Sequence, residues 1–214
     1  MNFTTKLSTA KKFALDLVFP IQCLNCRKKQ VWLCKECLKS INISKKKHAH
    51  ALVTASYHNP ILKHAIHVFK YQFIKDLGKP LAELIIHRIK NYESKIMNYA
   101  LMPVPLHKKR LKWRGFNQAE ILANHTAKHF NIPVINNALI RIKHNKPQMQ
   151  IKNEKTRKQN IIQSFQCIRP DLVKNKNIIL IDDVCTTGAT LSECRKTLLK
   201  SGARNVLSLV LAKT

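Results

Sequence analysis

Hydrophobic positions along the chain alternate between two periods. Ile178, Ile179, Leu180 and Ile181 form a short β-branched run without polar alternation, the pattern of a strand covered on both faces of a parallel sheet. Leu52 to Tyr57, Ile96 to Met102 and Val206 to Leu211 read as further strands. Between them the spacing is helical. Over 61–71, Leu62, Ala65, Ile66 and Phe69 face inward and Lys63, His64, His67 and Lys70 outward. Leu81, Leu84, Ile85, Arg88 and Ile89 follow Pro80, which suits a first helical turn. Ala119, Leu122, Ala123, Thr126 and Phe130 share one face over 118–130, and Leu191, Cys194, Leu198 and Leu199 lead to Gly202, placed as a left-handed cap. Near the start, Phe13, Leu17 and Val18 suit a short amphipathic helix. Strands alternating with helices predict an α/β fold around a parallel sheet, with ligands at the carboxyl ends of its strands.

At the carboxyl end of the 178–181 run stand Asp182 and Asp183, then Thr186, Thr187, Gly188, Ala189 and Thr190 before the next helix. Such a turn aims backbone N–H groups, hydroxyls and a helix N-terminus at one spot, which makes an anion cradle. The Walker pattern and G-x-G-x-x-G are both absent. Two carboxylates beside a phosphate cradle suit a sugar phosphate: they accept hydrogen bonds from vicinal hydroxyls and help hold a divalent cation. A ribose 5-phosphate meets both demands. The plain alternative is a capped turn and an ordinary helix start.

Charge extends the picture beyond this one anion. The 214 residues carry 39 Lys and Arg against 11 Asp and Glu, a formal +28, which points to a polyanionic partner, nucleic acid before an anionic membrane surface. Cations concentrate in Pro103-Val-Pro-Leu-His-Lys-Lys-Arg-Leu-Lys-Trp-Arg-Gly-Phe-Asn-Gln118. Arg110 and Arg114 there suit a second, bidentate phosphate contact. Lys108, Lys109, Arg110, Lys112 and Arg114, interleaved with Trp113 and Phe116, are candidates for single-stranded DNA, the rings by stacking on bases. A solvated basic loop over a buried Trp113 is the alternative. The polar stretch 145–160 adds Lys152 and Arg157 to the DNA candidates and suits a mobile loop.

Cysteines define one further unit. Cys23-Leu-Asn-Cys26 and Cys34-Lys-Glu-Cys37 supply four thiolates that can converge on a structural Zn²⁺, folding a segment too small for its own core; a redox C-x-x-C is the competing reading. Cys185, with no base beside it in sequence, reads as a packing residue, and Cys167 and Cys194 as core thiols. No apolar run is long enough to span a membrane, and Phe13 to Ile21 is broken by Asp16 and Pro20, so a cytoplasmic protein is expected.

Residues 178–190 closely resemble the phosphoribosyl-pyrophosphate (PRPP) motif of type I phosphoribosyltransferases. The resemblance implies a five-stranded parallel sheet of Rossmann-like topology, Asp182 and Asp183 on the ribose hydroxyls, Thr186 to Thr190 around the 5-phosphate, and Mg²⁺ bound through PRPP. It leaves catalysis open, with Asp182, Asp183 and Arg110 as candidates. Pro-Val-Pro-Leu-His with Arg110, Arg114 and Gly-Phe-Asn-Gln, the four-cysteine element and the PRPP-type loop together look like the signature of the ComF family of competence proteins, whose pattern also matches Arg141, Gln148 and Arg157-Lys-Gln-Asn160 before Phe165. That resemblance implies the handling of incoming single-stranded DNA during natural transformation. The expected organisation is an N-terminal helix and zinc element over 1–47 and a phosphoribosyltransferase-like domain over 48–214. With no segment after the last strand pattern, a nucleobase pocket is expected only from the N-terminal third, which disfavours nucleobase salvage. A PRPP-sensing regulator or scaffold docked on a helicase is a third reading.

Overall fold

The computed structural model describes residues 20–44, 47–48, 51–143 and 161–214. The helix read over 13–18 and the residues Gln148, Lys152, Arg157 and Asn160 lie outside this range. Seven strands and seven α-helices form among the described residues: α1 (Lys35–Lys39), β1 (Lys47–His48), β2 (Ala51–Ser56), α2 (Pro60–Tyr71), α3 (Gly78–Ile89), α4 (Glu93–Ile96), β3 (Tyr99–Pro103), α5 (Lys108–Arg114), α6 (Gln118–Phe130), β4 (Leu139–Arg141), β5 (Phe165–Cys167), β6 (Asn177–Cys185), α7 (Ala189–Lys200) and β7 (Asn205–Lys213). The main sheet has the order β1-β2-β7-β6-β3. Strands β2, β7, β6 and β3 are parallel, and β1 adds a short antiparallel edge. The fold is thus the expected parallel-sheet α/β type, with four parallel strands and an antiparallel edge where the resemblance implied five parallel strands. Strands β4 and β5 make a separate antiparallel ribbon.

The unbroken hydrophobic run in β6 is explained by what covers it. Ile179 and Ile181 enter one buried cluster with Leu62, Phe69, Leu81 and Leu122 of α2, α3 and α6. Ile178 and Leu180 point the other way, into a cluster with Leu191 and Leu198 of α7 and Phe165 of β5. Each such side chain contributes about 1.5–3 kcal/mol on burial, so reversing either face would be costly. The cysteine element joins the first cluster through Leu33, Leu38 and Ile41, and the N–H of Ser44 donates to the Thr54 carbonyl in β2.

Two boundaries differ from the hydrophobic pattern. Ile96 ends α4 rather than opening a strand, and β3 starts at Tyr99, where pairing with Asn177 begins. Strand β6 continues past Ile181 through both acids, because β7 pairs with it as far as Cys185 opposite Lys213. Gly78 marks a close approach of α3 to α6: a Cβ there would overlap the side chain of Ile121. No helix among the described residues is long and apolar enough to cross a membrane.

Candidate functional site

A cavity of about 750 Å³ opens at the carboxyl edge of the parallel strands. Tyr57 after β2, Val104 and Pro105 after β3, and Asp182 and Asp183 in β6 reach it from the sheet. Helix α2 contributes His67, Lys70 and Tyr71; α5 contributes Lys109, Arg110, Trp113 and Arg114; Arg141 arrives from β4.

The basic segment forms a helix where a loop was one reading. The His107 side chain accepts a hydrogen bond from the Lys109 N–H at its start, and Gly115, at a φ of 75°, ends it. Helical spacing then sorts the cations: 109, 110, 113 and 114 share the face that lines the cavity, while Lys108 and Lys112 point away and are exposed. Arg114 is fixed by an Nη1 hydrogen bond of 2.7 Å to Gln118 Oε1. Burial lowers the pKa of Arg114 and of Arg141, yet both guanidinium groups remain cations at neutral pH. The Nε atoms of Arg114 and Arg141 are buried without a hydrogen-bond partner.

Asp183 meets Lys70, whose Nζ lies 2.7 Å from its Oδ1. Lys70 therefore turns inward, contrary to its reading as a solvated face residue, and only 18% of its side chain is exposed. Asp182 accepts the Asp183 N–H at 2.9 Å. Burial, and then the neighbouring Asp183 carboxylate, push Asp182 up to about 7. Thr186 and Thr190 line the cavity, whereas Thr187, Gly188 and Ala189 complete the turn outside its lining. Gly188 holds a φ of 81° there, a left-handed position at the N-cap of α7. Cys185 and Cys194 are buried, and burial raises both thiols, which suits packing residues; Cys167 is only partly buried.

Five cations, Lys70, Lys109, Arg110, Arg114 and Arg141, thus face two carboxylates, so the cavity suits an anion carrying more than one charge. Lys70, Tyr71 and His67 escaped the sequence reading of the site, since only the fold brings α2 to β6. Trp113 is exposed at the rim rather than buried. Phe116 corrects the stacking assignment: it is 7% exposed and packs on Phe69 at 5.6 Å between ring centroids, so its ring serves the core.

Away from this cavity, the sulfurs of Cys23, Cys26, Cys34 and Cys37 lie within 4.8 Å of one another. That spacing and an all-thiol donor set fit a tetrahedral zinc ion. Burial alone would raise the Cys23 thiol, but N–H groups of Cys34, Asn25 and Cys26 outweigh it and bring its pKa to about 6.

The family model for the phosphoribosyl transferase domain matches residues 117–214. Among curated proteins, competence protein F of Haemophilus influenzae (strain ATCC 51907 / DSM 11121 / KW20 / Rd) is 32% identical over 142 residues, covering 64% of this chain and 62% of that one. Competence protein ComFC of Bacillus subtilis (strain 168) is 36% identical over 118 residues, 55% of this chain and 45% of its own. The DNA utilization protein YhgH of Escherichia coli (strain K12) is 26% identical over 166 residues, 76% and 72% of the two chains. The match thus spans less than two thirds of both competence proteins. Solved structures with similar folds include adenine phosphoribosyltransferase from Saccharomyces cerevisiae, with a TM-score of 0.42 and 10% identity over 64% of this chain and 69% of that one. Glutamine PRPP amidotransferase from B. subtilis has a TM-score of 0.40 and 19% identity over 64% and 25%.

Residues 117–214 thus match the phosphoribosyl transferase domain within an α/β fold built on a parallel sheet. The chain is similar to competence proteins F and ComFC and to YhgH, each over part of its length.

Proposed function

We propose that this protein handles single-stranded DNA during natural transformation and that its cavity binds phosphate groups, either of PRPP with Mg²⁺ or of the DNA backbone. The observation that carries this reading is the set of five cations that line one cavity with Asp182 and Asp183. The phosphate contacts fall to Arg110, Arg114, Thr186 and Thr190, with Thr187, Gly188 and Ala189 shaping the turn; Asp182 and Asp183 take the ribose hydroxyls. Lys108 and Lys112, on the outer face of α5, extend the positive surface along which a strand can run. The competence names of the relatives support the assignment. Zinc in the four-cysteine element holds the N-terminal segment folded, and the protein acts in the cytoplasm, where a helicase is a plausible partner.

The test is fluorescence anisotropy of a labelled single-stranded oligonucleotide at physiological salt, with and without PRPP and Mg²⁺. Competition between PRPP and DNA is expected. Replacing Arg110 and Arg114 together by Ala should weaken DNA binding and flatten its salt dependence by about two charges. Unchanged affinity and salt slope in that variant would refute the mapping. The fold also admits phosphoribosyl transfer, with Asp182, Asp183 and Arg110 at the reacting centre; pyrophosphate release from PRPP dependent on a nucleobase would favour that reading.

A further inference from the structure

Tyr71 and Trp113 stand at the rim of the cavity, and a third large ring, Phe73, packs on Trp113 beside it. Tyr71 ends α2, Phe73 follows two residues on, and Trp113 stands on α5; they are 43%, 41% and 59% exposed. Ring centroids lie 6.3 Å apart for Tyr71 and Trp113 and 5.5 Å for Phe73 and Trp113, with interplanar angles of 59° and 82°. Phe73 and Trp113 thus meet edge to face and Tyr71 is tilted against Trp113, which leaves part of each ring open to solvent. The Arg114 guanidinium lies 5.8 Å from the centroids of both Tyr71 and Trp113.

Their mutual packing leaves much of these rings exposed. Phe73 adopts a φ of 61°, a left-handed conformation that disfavours a bulky side chain, and it stays 41% exposed despite its contact with Trp113. Exposed apolar rings at the mouth of a cationic cavity suit a ligand with a flat π-face on one side and negative charge on the other. An apolar protein surface would match the rings but not Lys109, Arg110 and Arg114 beside them. An unpaired nucleotide matches both.

We propose that Tyr71, Phe73 and Trp113 form a stacking subsite for an unpaired nucleobase, so that the site takes a nucleotide of a single strand with its base on this rim and its phosphate in the cavity. The inference rests on the DNA-handling reading and adds base recognition to it. All three residues precede the matched domain, which begins at residue 117.

The experiment compares a thymidine oligonucleotide with one of the same length and charge made of abasic sites, by anisotropy on the full chain at physiological salt. Wild-type protein should bind the base-bearing strand more tightly by about 5- to 100-fold. Phe73→Ala with Trp113→Ala should bind the two strands alike, and Trp113→Phe should retain the preference. Equal binding of both strands by wild type, or a preference that survives in the double variant, would overturn the subsite while leaving phosphate binding intact. Wild-type protein that binds neither strand would sink the DNA-handling reading and the subsite with it. Far-UV circular dichroism of the double variant, whose changed rings are solvent-exposed, verifies the fold.

Discussion

Replacing Lys70 by Met tests whether the acids of β6 depend on a built-in counter-charge. Lys70 Nζ stands 2.7 Å from Asp183 Oδ1, and the two side chains are 18% and 11% exposed. For charge centres about 4 Å apart in a partly buried setting the attraction is about 4 kcal/mol. Desolvation of both ions offsets much of it, so the pair by itself adds little. Removing only the cation is another matter, because Asp183 then remains desolvated beside Asp182. Full burial would cost about 3–5 kcal/mol; the open cavity admits water, so a loss of about 2–3 kcal/mol at pH 7.5 is expected. Urea unfolding of a double-mutant cycle with Asp183→Asn isolates the pair: once Asp183 is neutral, Lys70→Met should cost less than about 1 kcal/mol. Equal losses in both backgrounds would show that Lys70 stabilises α2 by packing alone, and the counter-charge argument would fail.

Other perturbations probe the remaining features. Asp182 keeps its proton to about 7 in the folded chain, whereas an unfolded aspartate ionises near its ordinary value of 3.8, so stability should fall as pH rises between these values and level off above them. The fall is at most about 4 kcal/mol, and Asp182→Asn should flatten it; a wild-type profile parallel to that of the variant would contradict the shifted carboxyl. Cys34→Ser, or a strong zinc chelator, should release stoichiometric zinc and expose residues 20–44 to proteolysis, while a metal-free chain equally resistant to protease would rule out a structural zinc. Gly78→Ala should destabilise by about 1–2 kcal/mol in urea because its methyl group meets Ile121. Stabilisation by about 1 kcal/mol, as helix propensity alone would give, would deny the tight approach of α3 to α6.

How far the fold and the site could be read from sequence depended on whether the signal was local. Strand β6, its two acids and the threonine turn lie within one stretch, and local hydrophobicity and turn chemistry suffice to place them. The inward positions of α2 and α6 were equally legible, since a period of 3.6 sorts clearly buried residues. Lys70 was not. It sits on the flank of that apolar stripe, where periodicity alone does not decide between solvent and the edge of a neighbouring strand. Phe116 misled for the opposite reason: surrounded by cations in sequence, it is turned onto Phe69 once Gly115 reverses the chain. Arg141 fitted a family pattern, but its access to the acids depends on β4 running beside His107, a pairing between distant segments. The rim of Tyr71, Phe73 and Trp113 likewise joins two stretches about 40 residues apart.

The position of β7 sets a timetable for folding. This strand, residues 205–213, lies between β2 and β6, so those two strands cannot be joined until it has been made. At ordinary translation rates the roughly 150 residues separating β2 from β7 take on the order of ten seconds or more to synthesise. During that interval β2 presents the edge that β7 will occupy to whatever is nearby, since β1 and the cysteine element pair with its other edge. A metal captured early by residues 23–37 would therefore settle only the outer edge of the half-made sheet, and the inner edge stays open until the middle strand emerges.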